Sequence, residues 1–180
     1  MDRLREHEGT TLWPESLEAA VNAQIGIELA NFASYEQLSC FFRNADRGYA
    51  NLATFFRQEA DEELKHARSF MDYQAMRGGT VVIATPFHLL PTTPAVDSTQ
   101  PCLDAYLIAL GLEKATYISL LELHKKTESD PAFQDYLEAC LEEQLETQKK
   151  LSDQIQLLER SKANIGEYVH ETVVCKVPSL

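Results

Sequence analysis

The sequence predicts an all-α protein: a bundle of four long helices, with one long crossover between the second and third and a short fifth helix at the C-terminal end. Three observations carry that expectation. Apolar residues recur at helical spacing along four extended stretches. Glycine and proline number only seven each in 180 residues, and four of the prolines (Pro86, Pro91, Pro94 and Pro101) fall in one segment, so the rest of the chain is free to form uninterrupted helices. The links between the stretches are short except for that one segment, and this fixes which helices run antiparallel.

The expected helices span 15–43, 49–77, 102–126, 131–159 and 164–174, all within one domain covering residues 1–180. Pro14-Glu15-Ser16 suits the first turn of the first helix. Its apolar stripe is Leu17, Val21, Ile25, Phe32, Tyr35, Leu38 and Phe42. A polar link, Asn44 to Gly48, leads to the second helix, with Leu52, Phe55, Phe56, Phe70 and Tyr73 along one side, and Gly78-Gly79 supplies a glycine stop. Residues 80–101 show no helical period; Val81-Val82-Ile83 could form a strand but has no evident partner. Fully extended, this segment reaches about 70 Å, whereas a helix of 28 residues is about 42 Å long, so it can cross the whole bundle and set the third helix parallel to the second. The third helix carries Leu103, Tyr106, Leu110, Tyr117, Leu120 or Leu121, and His124. Ser129-Asp130-Pro131 opens the fourth, with Phe133, Leu137, Leu141, Gln148, Leu151, Ile155 and Leu158. A final apolar-periodic segment with Ile165, Tyr168, Val169 and Val173 either caps the bundle or packs on other subunits.

Each long stripe is broken once, well inside its ends, by a group able to coordinate or hydrogen-bond a cation. The interruptions are Glu28 in the first helix, Glu59, Glu62 or Glu63 with His66 in the second, Glu113 in the third and Gln144 in the fourth. A carboxylate buried without a partner costs several kcal/mol, so each needs a cation, a proton or a hydrogen-bond network. Four bundled helices would bring these groups together. Glu63 and His66 share a helix face about one turn apart, and Glu-x-x-His on a bundle helix is a signature of carboxylate-bridged di-iron proteins. Tyr35, two turns beyond Glu28 on the same face, can donate a hydrogen bond to a ligand.

Composition narrows the classes further. A formal charge of −12 argues against wrapping nucleic acid, because neutralising phosphates needs clustered Lys and Arg. No apolar run approaches membrane-spanning length, and the polar start of the chain does not read as a signal peptide. Cys40, Cys102, Cys140 and Cys175 form no Cys-x-x-Cys pair and fit reduced thiols in a cytoplasmic protein. Carboxylates with one imidazole and no thiolate exclude a zinc-finger type site and suit iron or manganese. Glu63 can bridge two cations, so that two Fe(II) ions jointly deliver electrons to O2. One ion would have Glu28, Glu63 and His66; the other would lean on Glu113, Glu63 and the neutral amide of Gln144, an inventory that suits a transit site. A di-iron oxygenase acting on an organic substrate would need a second Glu-x-x-His, which the fourth helix does not offer.

Read in order, QIGIEL around Glu28, Tyr35 seven residues on, DEELKHA with Glu62, Glu63 and His66, the QAMRGG stretch, GLEK around Glu113 followed by SLLELHK, EEQ ending at Gln144, and GEYV near the C-terminal end resemble an animal heavy-chain-type ferritin over nearly the whole chain. The resemblance implies a ferritin-like fold and a hollow shell of twenty-four subunits, homo-oligomeric or co-assembled with other ferritin chains. It also implies oxidation of Fe(II) by O2 at an intrasubunit ferroxidase centre, with ferric mineral stored inside for iron storage and detoxification. The centre would comprise Glu28, Glu63, His66, Glu113 and Gln144, with Tyr35 and Glu62 beside it. The contrasting expectation is a catalytically weak or silent shell subunit that co-assembles with another ferritin chain.

Three departures from the family pattern stand out. Lys65 and Arg68 replace inner-surface acids that help mineral nucleate, and both share a helix face with Asp61, where they could pair with it. At the entry channel, His124 matches the family histidine and Asp135 with Glu138 resembles its acidic pair. The stretch from Pro131 to Gln144 is one residue shorter, however, and aligning back from Gln144 puts Gln134 and Leu137 there instead, a rotation of about 100°. The crossover is also longer and richer in proline.

Overall fold

A computed structural model describes residues 4–5, 13–83, 93–127, 130–161 and 163–174. It contains α1 (Glu15–Arg43), α2 (Ala50–Met76), α3 (Pro101–Lys125), α4 (Pro131–Arg160) and α5 (Ala163–Val169), which runs on into a π-helical segment, His170–Val174. Every expected helix is present, and the four long ones begin and end within one residue of their expected limits. Among the described residues the one strand pairing is short: β1 (Leu4–Arg5) lies antiparallel to β2 (Trp13–Pro14) just before α1. Residues 81–83 form no strand, and the central part of the crossover, 84–92, lies outside the described residues.

Local chemistry accounts for the helix ends. Pro14 precedes α1 in an extended conformation, and Glu15 and Glu18 sit in its first turn, where acids favour the helix dipole. Gly78, at φ 79°, supplies the left-handed residue that stops α2. Gly79 follows because a Cβ there would come within 2.8 Å of Trp13 Nε1. Asp130 caps α4 by accepting from the Phe133 amide at 3.2 Å.

Side-chain pairs between helices fix the topology. From α1 to α2 the links run Asn22 to Gln74, Asn31 to Glu63 and Ser39 to Ala53, so the two are antiparallel. From α1 to α3 they run Gln24 to Ser119, Asn31 to Thr116 and Tyr35 to Glu113, again antiparallel. It follows that α3 is parallel to α2, as a crossover spanning the bundle requires. Pairs of α4 with α2 and with α3 run in opposite senses as well.

The core falls into two apolar clusters. One holds Tyr35, Leu38, Phe42, Leu52, Phe56, Tyr106, Leu151 and Ile155; the other holds Trp13, Leu17, Val21, Ile25, Phe70, Leu120, Phe133 and Leu137. Between them lie the buried polar residues Gln24, Glu28, Asn31, Glu63, Glu113, Thr116 and Gln144. Two expectations need correction here. The buried seam of α3 is Cys102, Ala105, Tyr106, Ala109, Glu113, Thr116, Leu120 and Leu123, while Leu103, Leu110, Tyr117 and His124 are only partly covered. Small residues hold the seam because they let neighbouring helices approach. Also, α1 is interrupted by Gln24, Asn31 and Ser34 as well as by Glu28, not once.

At the C-terminal end the packing face is polar. Glu167, His170 and Glu171 are buried, while Ile165, Tyr168, Val169 and Val173 face outward. Glu171 accepts the Asn51 and Leu52 amides at 2.6 and 2.9 Å, and Glu167 accepts the Cys102 amide at 3.0 Å, so each acid caps the start of a bundle helix.

Candidate metal centre

The polar belt converges at mid-bundle. One ligand atom each from Glu28, Glu63 and His66 lies within 4.8 Å of the other two. Glu28 is held from its own helix, one turn back, by Gln24 Nε2 donating to Oε1 at 2.7 Å, and Ser119 Oγ donates to Gln24 Oε1 at 2.7 Å. Glu63 is oriented by Asn31 Nδ2 at 3.4 Å, which in turn donates to Thr116 Oγ1 at 2.7 Å. Tyr35 donates its hydroxyl to Glu113 Oε1 across the bundle. His66 lies between two acids, with Nδ1 3.9 Å from Glu63 and Nε2 3.4 Å from Glu143.

The electrostatics are those of a site short of positive charge. Burial is the first cause in each case. It raises Glu28 well above the usual carboxylate range, with Glu63 adding repulsion, and pushes Glu63 up to about 8 and Glu59 up to about 7, each with Glu113 adding repulsion. Glu113 is raised too, although the Tyr35 hydroxyl and the Gln144 amide draw it back. Four carboxylates share one buried region, and the basic groups that act on them are the partly buried His66 and, against Glu59, Lys150. Glu28 Oε2, Glu113 Oε2 and Gln144 Oε1 are buried with no hydrogen-bond donor among the described residues. Oxygen atoms of this kind are costly unless a cation or proton meets them, so the donor set fits hard or borderline cations such as Fe(II).

Two cavities flank the cluster. One of about 220 Å³ is lined by Glu28, His66, Tyr136, Cys140, Glu143 and Gln144, among others. A second of about 310 Å³ is lined by acids, Glu59, Glu62, Glu63, Glu113, Glu143 and Glu146, together with Lys150.

The expected residues do not all meet equally. Glu28, Glu63 and His66 form the tight group; Glu113, Tyr35 and Gln144 adjoin it. Glu62 sits on the exposed rim of the second cavity, where Lys65 Nζ donates to it at 2.6 Å. Lys65 therefore bonds Glu62, three residues back, while the charge of Asp61, the acid expected from spacing, also acts on it. Sequence reasoning missed Asn31, Gln24 and Thr116, whose signal was only that polar residues fell on a buried face. At the other candidate position, Leu137 is fully buried and cannot line an opening, whereas His124 Nε2 lies 3.3 Å from Glu138 Oε1 and Asp135 is exposed.

Antiparallel helix pairs, a spanning crossover and an acid–histidine belt between two apolar clusters define a ferritin-like four-helix protein. A family model for the ferritin-like domain matches residues 18–161. Soma ferritin of Lymnaea stagnalis is 37% identical over 157 residues, covering 86% of this chain and 87% of its own. The middle ferritin subunit of Aquarana catesbeiana is 37% identical over 160 residues (86% and 88%), and a chloroplastic ferritin of Brassica napus is 37% identical over 147 (78% and 56%). The chain belongs to the ferritin family. Among its described residues no helix is long and apolar enough to cross a membrane.

Proposed function

We propose that this chain is a heavy-chain-type ferritin subunit for iron storage and detoxification, working in the cytoplasm as part of a shell of twenty-four subunits. It oxidises Fe(II) with O2 at the belt and passes Fe(III) to a mineral inside the shell. The carrying observation is the convergence of Glu28, Glu63 and His66 within 4.8 Å, beside buried oxygens that lack donors. Glu63, between Glu28 and Glu113, is the residue suited to bridge two ions. Glu28 and His66 hold one of them, and Glu113 with Gln144 the other. Asn31 and Tyr35 fix the orientations of Glu63 and Glu113, so the ligands are set before iron arrives. Two Fe(II) ions supply two electrons together, which lets O2 be reduced without a one-electron step. His124, Asp135 and Glu138 form the entry route.

Adding Fe(II) to the purified chain should consume O2 in stoichiometric amount, and Glu63→Ala should abolish this while leaving the helical content and shell size by size exclusion unchanged. Iron addition without O2 use would reduce the chain to a silent shell component. Asp135→Ala should slow uptake but leave the site intact.

The Lys65–Glu62 pair favours a second feature. A lysine on an acid at the cavity rim blunts the negative field there, so this subunit oxidises iron readily but nucleates mineral poorly, a deficit that co-assembly with another ferritin chain would relieve.

A further inference from the structure

Two relays of the same design run from α3 through α1 to the belt. The Ser119 hydroxyl donates to Gln24 Oε1 at 2.7 Å, and Gln24 Nε2 donates in turn to Glu28 Oε1 at 2.7 Å. About two turns further along α1, Asn31 Nδ2 donates to the Thr116 hydroxyl at 2.7 Å and to Glu63 Oε2 at 3.4 Å. Thr116 is fully buried and both amides are buried too, so solvent does not reach the links. The lengths carry the argument. The hydroxyl grips the Asn31 amide at 2.7 Å, whereas the amide reaches Glu63 only at 3.4 Å, so the place of the donor is set from α3 and not by the carboxylate. In the other relay an ionised carboxylate only accepts, which turns the Gln24 nitrogen toward Glu28 and leaves its oxygen to the Ser119 hydroxyl.

We infer that Thr116 and Ser119 are positioning residues for the iron reaction that act at one remove: each hydroxyl fixes an amide of α1, and each amide fixes one carboxylate. The inference rests on Glu28 and Glu63 as iron ligands, as proposed above, and adds that the two relays differ in reach. Glu63 bridges, so the Thr116 relay governs both ions. Glu28 serves one ion, so the Ser119 relay governs that ion alone. Without its hydroxyl the amide is free to change rotamer and the carboxylate loses a fixed donor, so ordering both becomes part of the cost of binding. The loss therefore falls on affinity for Fe(II), and the rate at saturation is kept.

The test is anaerobic Fe(II) titration calorimetry of the full chain, with O2 uptake against Fe(II) concentration as a second readout. Thr116→Val keeps the shape of the side chain and removes the hydroxyl. It should weaken binding of both ions by about two- to tenfold, raise the half-saturating Fe(II) for O2 uptake by a similar factor and leave the saturated rate unchanged. Thr116→Ser removes the methyl, keeps the hydroxyl and should match the wild type. Ser119→Ala should weaken one ion of the two. A residue that only packs would reverse the Thr116 pair, with serine impaired and valine intact; that result, or wild-type binding by Thr116→Val, would overturn the inference while leaving the iron reading intact. Should Thr116→Val fail to fold, Ser119→Ala decides: one weakened ion upholds the inference, and none or both overturns it. A wild type that binds Fe(II) but consumes no O2 removes the proposed oxidation, and the calorimetry of the variants still decides the relays. A wild type that binds no Fe(II) overturns both.

Discussion

In the cluster around Phe56, buried rings lie against one another: Phe42 at 5.7 Å, Tyr106 at 5.6 Å and Tyr35 at 6.3 Å between ring centres. A turn or two along the same helices, at Glu63 and Glu113, the buried groups are carboxylates facing carboxylates. The first region releases free energy on burial; the second costs it unless a cation arrives. Placing the costly belt between two apolar clusters lets the clusters hold the helices in register while the belt stays short of partners. Binding capacity and stability are thus divided between neighbouring segments of the same four helices.

The sharpest way to break this comparison is to remove a ring from the apolar side. Phe56→Ala should cost about 3–5 kcal/mol in denaturant unfolding of the metal-free protein, because the space is walled by rigid helices and cannot collapse. A loss of less than about 1 kcal/mol would mean that the cluster does not carry the fold.

On the belt the sign should invert. Glu63, raised from the ordinary 4.5 to about 8, is protonated in the folded chain over a range where the unfolded chain has already ionised. Its contribution to stability is therefore complete below pH 4.5 and is lost as pH climbs through 8. Glu63→Gln keeps the partner of Asn31 without the charge, so at pH 8 the variant should be more stable than the wild type by about 1–3 kcal/mol, with the difference vanishing near pH 4. Thermal melts of both metal-free proteins across that range decide it, and a divalent cation should stabilise only the wild type.

The bundle and most of the belt were legible from period alone, because Glu28, Glu63, Glu113 and Gln144 each stand where an apolar side chain is expected. What was not legible follows from what a period cannot see. The seam of α3 is built from Ala105 and Ala109, which do not announce a buried face, whereas the larger Leu103 and Leu110 do so wrongly. Asn31 and Gln24 are polar on a face where polarity can mean either solvent or a partner on another helix. At the C-terminal segment the apolar stripe left open whether it caps the bundle or packs on other subunits; the face turned to the bundle carries Glu167 and Glu171, which bond amide groups whose exposure depends on where other helices begin. Backbone donors leave no trace in the sequence.

That end offers smaller effects. Glu171→Ala frees two amides at the start of α2 and should cost about 1–2 kcal/mol. His170, buried against Tyr106 with Nε2 2.8 Å from Gln154 Oε1, is lowered by desolvation to about 4. A lowered imidazole favours the neutral form in the fold, so its contribution is present above the ordinary 6.5 and is lost as pH falls through 4. Hydrogen exchange of residues 163–174 should rise over that window before the rest of the bundle responds, and His170→Phe should remove the dependence.

The smallest expected change in stability, Lys65→Glu with Arg68→Glu, sharpens the comparison from outside the core. Both side chains are exposed, and the Lys65 ammonium meets Glu62 in full solvent, where an ion pair contributes little to folding. The unfolding midpoint should not move measurably. The field at the rim of the acid-lined cavity should become more negative, because two cations become two anions beside Glu62 while Glu28, Glu63 and His66 stay in place. Initial O2 consumption on Fe(II) addition should then match the wild type, and growth of the ferric mineral, followed by its absorbance, should accelerate. If oxidation slows as well, the rim and the belt are not separable, and Lys65 takes part in what the buried ligands do; if neither rate changes, the exposed pair has no bearing on mineral formation.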